Sequence, residues 1–387
     1  MSAARISLLA RKSGSHHLMM DSWLAAAVTT LLLFGVVMVY SASISLAQKT
    51  TGNDAYYLVR HLLHLTTALI TMTLVMRIRL SVFERGGPFL LLVGLSLLVA
   101  VLIPGVGTTI NGSTRWLHFG PFNLQPSELM KFFMLIYVSG YLVRKEELLT
   151  SFTQGVLVVG VVLAVTGMLL LAEPDLGTLV VISLATIALM FLAGVRFRYF
   201  LMILAVAISA VVLLTIVSPY RMERVTGFLN PWADPFDSGF QLVQALIAFG
   251  RGELFGVGLG ASVQKLFYLP AAHTDFVLAV IAEELGLFGV WFIILLFGIV
   301  IHRGFHIARR AEANGLLYGA RIAQGSALLL GIQAMINMGV NMGVLPTKGL
   351  TLPFISAGGS SLIVSCCLVG LMFRVDYETR LHDWGER

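Results

Sequence analysis

The chain has 387 residues with a formal net charge of +6, and 57% of them are hydrophobic while only 12% are charged. Soluble domains carry about 25% charged residues, so the composition excludes a soluble fold and indicates a protein that packs in lipid. The positive charge lies mainly in loops between apolar segments, which is a membrane topology signal and excludes nucleic acid as the partner.

Ten apolar segments have about the length of a membrane-spanning helix, roughly 20 residues. We therefore predict an all-α polytopic membrane protein with about ten transmembrane helices, folded as a single domain over residues 1–387. In chain order the predicted spans cover residues 22–46, 56–76, 87–104, 126–143, 153–172, 176–193, 199–217, 276–301, 318–342 and 358–373.

Lysine and arginine residues in the short loops set the orientation of such a chain. With the N-terminus inside, the cytoplasmic loops are short and rich in these residues, whereas the outer loops are longer and hold fewer. We therefore expect both termini to be cytoplasmic. The cytoplasmic group comprises Arg5, Arg11, Lys12, Arg77, Arg79, Arg85, Arg144, Lys145, Arg196, Arg198, Arg303, Arg309, Arg310, Arg374, Arg380 and Arg387.

Three loops on the predicted outer side are long and rich in proline and glycine, and they cover residues 105–125, 218–275 and 343–361. Loops of this kind are usually functional or disordered. Their aromatic and apolar content argues against disorder. The largest loop lies between the seventh and eighth spans and is a candidate for the functional site.

Asp275 lies at the outer start of the eighth span. One interpretation is a charge that stabilises the helix dipole by about 0.3–1 kcal/mol. The other is a general base, because a carboxylate at a water–lipid boundary stays ionised yet is partly desolvated. His273 would then tune or pair with it. The residues alone favour both interpretations equally.

Glu283 and Glu284 lie deeper in the same span, about 80° and 180° around the helix from Asp275. The three carboxylates therefore cannot share one face. We expect one glutamate to face a cavity near Asp275 and the other to pair with a neighbouring helix. A buried ion pair is the favoured role for at least one of them.

Lys348, in "LPTKGL", and Arg115, in "NGSTRWLHFG", are cations in apolar outer loops. Each is either a side chain that extends to the membrane interface or a group that neutralises phosphate. The segment "SAGGSS", which begins at Ser356 and contains Gly358, is either a flexible turn or a place where backbone approaches a polar ligand closely.

Two acidic motifs favour structural roles. Glu128 and Lys131 in "QPSELMKF" have the i,i+3 spacing of a salt bridge at a helix start. Asp175 in "EPDLGT" is placed to cap the sixth span, although an acidic cluster there also suits a divalent cation.

Taken together, "NGSTRW", "QPSELMK", "EPDLGT", "NPWADPFDSGFQ", "GLGASVQKLFYLPAAHTDF", "EELGLFG" and "NMGVLPTKGLTLPFISAGGSS" resemble, in order, the motifs of the SEDS family (shape, elongation, division and sporulation). The resemblance covers nearly the whole chain. The wording "LPTKGLTLPF" is similar to the cell-division, or FtsW, type, whereas the elongation type, RodA, usually lacks the lysine.

The resemblance implies a peptidoglycan glycosyltransferase that polymerises lipid II at the outer face of the bacterial cytoplasmic (inner) membrane, at the division septum. It implies that Asp275 is the essential catalytic carboxylate. The implied partners, besides lipid II and membrane lipid, are a class B penicillin-binding transpeptidase of the FtsI type and the division regulators FtsQ, FtsL and FtsB.

This reaction gives the charged residues definite tasks. Asp275 would take the proton of the attacking sugar hydroxyl. The leaving undecaprenyl pyrophosphate needs positive charge, and Lys348, Arg115, Arg221 and Arg224 lie on the correct side. The residues establish no cofactor, and whether a divalent cation such as Mg²⁺ or Mn²⁺ shares that task stays open.

Two rival functions stay open. Ten helices with carboxylates also suit a lipid II flippase or another transporter, which would place its charges near the membrane midplane. Here the charged and glycine-rich segments cluster on one predicted side, which favours chemistry there. A non-catalytic division scaffold is the third alternative, for which the charge of Asp275 would be irrelevant.

Overall fold

The computed structural model describes residues 20–385 apart from 111–112, 120–121 and 238, so Arg5, Arg11, Lys12 and Arg387 lie outside the described residues. Long helices dominate this part of the chain. They are α1 (Ser22–Thr51), α2 (Tyr56–Arg77), α3 (Leu80–Leu102), α4 (Pro126–Arg144), α5 (Val158–Ala172), α6 (Leu176–Leu192), α7 (Phe197–Val217), α8 (Pro219–Leu229), α9 (Phe240–Gly252), α10 (Val277–Ala313), α11 (Leu317–Asn341) and α12 (Gly359–Asp383).

A small antiparallel sheet stands between α3 and α4, in the first of the long loops. Its strands are β1 (Gly107–Ile110), β2 (Ser113–Phe119) and β3 (Phe122–Leu124), in that order. Leu117 pairs with Gly107 on one side and with Leu124 on the other. The sequence analysis did not predict this sheet, although its aromatic and β-branched residues favour strands.

Each of the ten predicted spans corresponds to a helix, which confirms the all-α class. Eight helices of the described residues are long and apolar enough to cross a membrane, the fifth span being Thr153–Ala172. The remaining two predicted spans correspond to α4, which contains a buried ion pair, and to α6, which has only 17 residues. Two spans extend further than predicted, since α10 reaches Ala313 and α12 reaches Asp383.

Helices α11 and α12 form the centre of the bundle, and α7 lies at its edge. About four-fifths of the spanning windows of α11 and α12 is buried (78% and 83%), whereas none of the α7 window is. Small residues permit the close packing of α11. A side chain at Gly331 would contact Ile301 of α10 at 2.8 Å.

Glu283 and Glu284 of α10 are ion-paired in the interior. Glu283 accepts hydrogen bonds from Arg251 at 2.8 Å and from the backbone amide of Val263 at 3.0 Å. Glu284 accepts from Lys265 and from Ser41 of α1, both at 2.7 Å. These pairs attach the glycine-rich segment before Asp275 to the bundle, and the predicted buried ion pair is present twice.

Helix α10 is broken at Gly286, whose φ of 67° and ψ of −162° are not helical. The glycine-rich segment satisfies the backbone groups that the break leaves open. The amide of Val257 donates to the carbonyl of Glu283 at 3.0 Å, and that of Leu287 donates to the carbonyl of Glu253 at 2.9 Å. The outer loop is therefore joined to α10 by backbone hydrogen bonds and by ion pairs.

We expect Lys265→Met to destabilise the protein strongly, because it leaves the Glu284 carboxylate buried without its cation. Breaking a buried pair in this way costs about 3–5 kcal/mol. Thermal unfolding in detergent, followed by size-exclusion chromatography, measures the effect. Lys145→Met, at an exposed lysine, is the control, and adding Glu284→Met to Lys265→Met should restore part of the loss. Equal melting temperatures for the two single variants would contradict this role.

Candidate functional site

The long loops predicted to face outward meet at one end of the bundle, where they enclose a cavity of about 890 Å³. Its walls come from β2, the turn between α5 and α6, helix α8, the turn before α10 and the loop between α11 and α12. Among the residues singled out in the sequence, the cavity is lined by Asp275, Lys348, Arg115, Arg221, Arg224, Gly358, Glu128 and Asp175.

Asp275 lies in the turn immediately before α10, and two asparagines of α11 hold its backbone. The carbonyl of Asp275 accepts from the side-chain amides of Asn337 at 2.9 Å and Asn341 at 3.0 Å. Asn337 also donates to the carbonyl of Leu350 at 2.6 Å. One α11 side chain thus fixes the turn that carries Asp275 and the loop that carries Lys348.

The carboxylate of Asp275 packs against that loop, since a side chain at Gly349 would meet its Oδ2 at 3.4 Å. Burial raises the pKa of Asp275 to about 6, although the charges of Arg224 and Arg115 lower it. Such a carboxylate is ionised at neutral pH yet accepts a proton readily, which suits a general base.

Four cations surround this carboxylate on three sides of the cavity. Arg224 of α8 donates to the carbonyl of Thr347 at 3.3 Å, and Arg221 donates to that of Leu214 at 3.0 Å. Burial, together with the charges of Arg224 and Arg221, lowers the pKa of Lys348 to about 8. Arg115, Arg221, Arg224 and Lys348 therefore place four cations in the cavity that contains Asp275.

Arg115 is held by the turn between α5 and α6. Its guanidinium donates to the carbonyl of Glu173 at 2.9 Å and to that of Pro174. The Glu173 carboxylate below is fully buried, and burial together with the charge of Asp175 raises its pKa to about 8. Because that carboxyl is mostly protonated at neutral pH, the positive charge of Arg115 stays available to the cavity.

The floor of the cavity is a buried polar network. Glu128 and Lys131 form the predicted salt bridge, with 2.7 Å between Oε2 and Nζ. Lys131 also donates to the side chain of Gln333 at 2.6 Å. Gln333 in turn donates to the carbonyl of Thr351 at 3.0 Å and to Ser361 at 3.2 Å. The i,i+3 pair is thus anchored to α11 and α12.

Asp175 caps α6 as predicted. Its Oδ1 accepts from the amide of Thr178 at 3.2 Å, and its Oδ2 accepts from Ser127 at 2.8 Å and from Gln125 at 3.2 Å. Within the described residues, no group of three or more His, Cys, Asp and Glu side chains has the arrangement of a metal site. The described carboxylates therefore do not form a preassembled metal cage at this turn.

Four predicted residues are placed elsewhere. Glu283 and Glu284 do not line the cavity with Asp275, contrary to the expectation for one of them. Ser356 is buried in its own loop, where it accepts from the amide of Leu352 at 2.8 Å. His273 lines a neighbouring pocket and packs against Tyr57 at a tilted angle, with 5.2 Å between ring centroids. It does not pair with Asp275 because it faces away from the cavity.

The sequence analysis missed the polar side chains of α11, namely Gln333, Asn337 and Asn341. They recur every four residues among apolar neighbours in the last part of α11, and that spacing places them on one face. The pattern was readable in the sequence, because an amide inside a membrane helix requires a partner.

A family model described as cell cycle protein, of the FtsW, RodA and SpoVE type, matches residues 22–381. The chain belongs to this family. Together with the long apolar helices described above, this membership makes it a multi-pass membrane protein.

Two relatives with similar sequences have the same name. A probable peptidoglycan glycosyltransferase FtsW from Nitrosococcus halophilus is 54% identical over 367 residues, which cover 95% of this chain and 95% of the relative. A probable peptidoglycan glycosyltransferase FtsW from Coxiella burnetii is 48% identical over 359 residues, which cover 93% and 96%.

Two solved structures share the fold. One comes from work on the structural coordination of polymerization and crosslinking by a peptidoglycan synthase complex. It is 28% identical, has a TM-score of 0.75, and the match covers 93% of this chain and 98% of that one. The other is the rod shape determining protein RodA of Thermus thermophilus, 28% identical with a TM-score of 0.68, covering 93% and 97%.

We expect Asn337→Ala to loosen both segments that its amide holds. Two carbonyls lose a buried donor, so local opening of residues 270–276 and 346–352 becomes easier and their amide exchange rises about tenfold. Hydrogen–deuterium exchange with mass spectrometry measures this. Asn314→Ala is the control, because Asn314 bonds Asp383 after the far end of α10. Unchanged exchange in both segments would show that Asn337 does not hold them.

Proposed function

We propose that this chain is a peptidoglycan glycosyltransferase that polymerises lipid II into glycan strands at the outer face of the cytoplasmic membrane. The observation that carries the proposal is Asp275, a carboxylate with a pKa of about 6 in a cavity otherwise rich in cations. Family membership and the names of the relatives agree with it.

In the proposed reaction, a sugar hydroxyl of the acceptor attacks the anomeric carbon of the donor. Asp275 accepts the hydroxyl proton as the new C–O bond forms, which is the work of a general base. The bond from the anomeric carbon to the pyrophosphate oxygen breaks, and the polyprenyl pyrophosphate leaves with that electron pair. Its cavity position allows Asp275 to meet a lipid-linked sugar at the outer end of the bundle.

The cations stabilise the leaving group. Negative charge grows on the pyrophosphate during bond cleavage, and fixed positive groups in a partly buried site stabilise it most. Lys348, Arg115, Arg221 and Arg224 all line the cavity. A divalent cation, Mg²⁺ or Mn²⁺, is proposed as a further source of positive charge, with most of its ligands supplied by substrate phosphates and water.

The proposed partner is a class B penicillin-binding transpeptidase of the FtsI type, which crosslinks the new strands. A structure of similar fold was solved in work on polymerization and crosslinking by a peptidoglycan synthase complex, which supports this pairing. We also propose assembly with FtsQ, FtsL and FtsB at the division septum of the inner membrane, as the similarity to the FtsW-type sequences suggests.

We expect Asp275→Asn to reduce the polymerisation of lipid II by roughly 10²- to 10⁴-fold, the contribution typical of a general base. The assay uses purified protein with its transpeptidase partner, whose own active site is blocked, and resolves glycan strands on a gel. Asp237→Asn, at an exposed carboxylate in the same outer loop, is the matched control and should keep full activity.

Full polymerisation by a folded Asp275→Asn variant would show that Asp275 is not the general base. If the unmodified protein makes no polymer but carries labelled lipid II across vesicle membranes, the function is transport. Polymer from the unmodified protein together with loss in the variant supports the glycosyltransferase.

We expect a bell-shaped dependence of polymerisation on pH. Activity falls below about pH 6, where Asp275 becomes protonated, and above about pH 8, where Lys348 loses its charge. Arg224→Gln should shift both limbs upward, because Arg224 lowers the pKa of both groups. Initial rates between pH 5 and pH 9, with melting temperatures as the folding control, test this, and a downward shift of either limb would contradict it.

A further inference from the structure

A second pocket of about 200 Å³ adjoins the cavity that contains Asp275. We call it the histidine pocket, because three imidazoles line it. It lies between the outer half of α2, the sheet, the turn before α10 and the start of α12. Its lining is Tyr57, Arg60, His61, His64, Trp116, Asn123, His273, Ala357, Gly358 and Gly359.

His61 is the residue that indicates a ligand. It is only 3% exposed, and among the described residues its Nε2 has no hydrogen-bond partner. A buried polar atom without a partner costs about 1–3 kcal/mol, so it is rarely left unsatisfied without a reason. Since the His61 side chain lines the pocket, a ligand there is a candidate partner for its imidazole.

The other side chains suit a sugar ring. Tyr57, whose ring contacts that of His273 at a tilted angle, and Trp116 offer aromatic surface to the apolar face of such a ring. A neutral imidazole both donates hydrogen bonds to its hydroxyls and accepts them, and a guanidinium donates to them. The described histidines do not form a metal-binding group. We therefore assign them hydrogen bonds to the ligand.

Glycines at the start of α12 shape the pocket. A side chain at Gly359 would come within 2.7 Å of the His64 ring, so a larger residue at this position would displace that imidazole. The pocket is smaller than the roughly 300–1,000 Å³ of sites that enclose a drug-sized ligand. Its volume therefore fits one ring and excludes a whole disaccharide.

The two pockets are adjacent and share part of their lining. Trp116, Ala357 and Gly358 line both of them, and His273 stands two residues before Asp275. A saccharide with one ring at Asp275 can therefore place its next ring in the histidine pocket. Four cations line the larger cavity, whereas Arg60 is the one Lys or Arg among the lining residues of the histidine pocket, so we assign the pyrophosphate of the donor to the larger cavity and a sugar ring to the histidine pocket.

We propose that the histidine pocket is a saccharide subsite, which binds one sugar ring of a lipid-linked substrate beside the ring that reacts at Asp275. This inference rests on the proposed glycosyltransferase function and deepens it. It assigns His61, Tyr57 and Trp116 to substrate recognition, while the chemistry stays with Asp275.

Binding tests the subsite without turnover. In an Asp275→Asn background, the affinity for lipid II and for undecaprenyl pyrophosphate is measured by titration in detergent micelles. We expect His61→Ala and Tyr57→Ala each to weaken lipid II binding roughly three- to tenfold, the equivalent of one lost contact. Binding of undecaprenyl pyrophosphate, which has no sugar, should stay unchanged.

His306→Ala is the matched control. Its ring Nδ1 is also buried without a partner among the described residues, but it lies in α10 near the far end from Asp275. Melting temperatures check folding, and Tyr57, which is only partly buried, provides a second variant if His61→Ala unfolds.

Each outcome decides a different point. Unchanged lipid II affinity in both folded variants would overturn the subsite. Equal weakening for lipid II and undecaprenyl pyrophosphate would overturn it too, because the pocket would then bind pyrophosphate. If the variants weaken lipid II binding selectively but unmodified protein makes no polymer, the subsite stands and the glycosyltransferase function fails.

Discussion

Lipid offers no hydrogen-bond partner, so the polar side chains inside this bundle have to satisfy one another. Glu284 pairs with Lys265, and Glu128 pairs with Lys131. Asp275 is treated differently, because its backbone carbonyl is held by two amides while its carboxylate lines a cavity among cations. The need to satisfy buried polar groups therefore produces ion pairs that stabilise the fold, whereas the Asp275 carboxylate faces the cavity, where it can react.

The amides of α11 connect these two groups of charges. Gln333 joins the Glu128–Lys131 pair to the loop before α12, and Asn337 joins that loop to the turn of Asp275. Rigid placement matters for a site of this type, since fixed groups stabilise developing charge without reorganising during the reaction. Helix α11, one of the two most buried helices of the bundle, thus positions the carboxylate of the candidate site.

Much of the fold and part of the site were predictable from the sequence. Apolar runs placed all ten long helices, and local spacing placed the Glu128–Lys131 pair and the cap by Asp175, because each depends on neighbours within a few residues. The partners of Glu283 and Glu284 come from residues far along the chain, and no local pattern indicates them. His273 and Ser356 were misplaced for the same reason, since the direction of a loop side chain depends on tertiary packing.

The break in α10 also limits how this sequence can change. Gly286 and Gly256 lie so close that a side chain on either one would collide with the backbone around the other, and both have positive φ values. Neither glycine can be replaced first without moving the opposite segment. A substitution at either glycine therefore requires the opposite backbone segment to move, so single substitutions at these two positions are expected to be poorly tolerated.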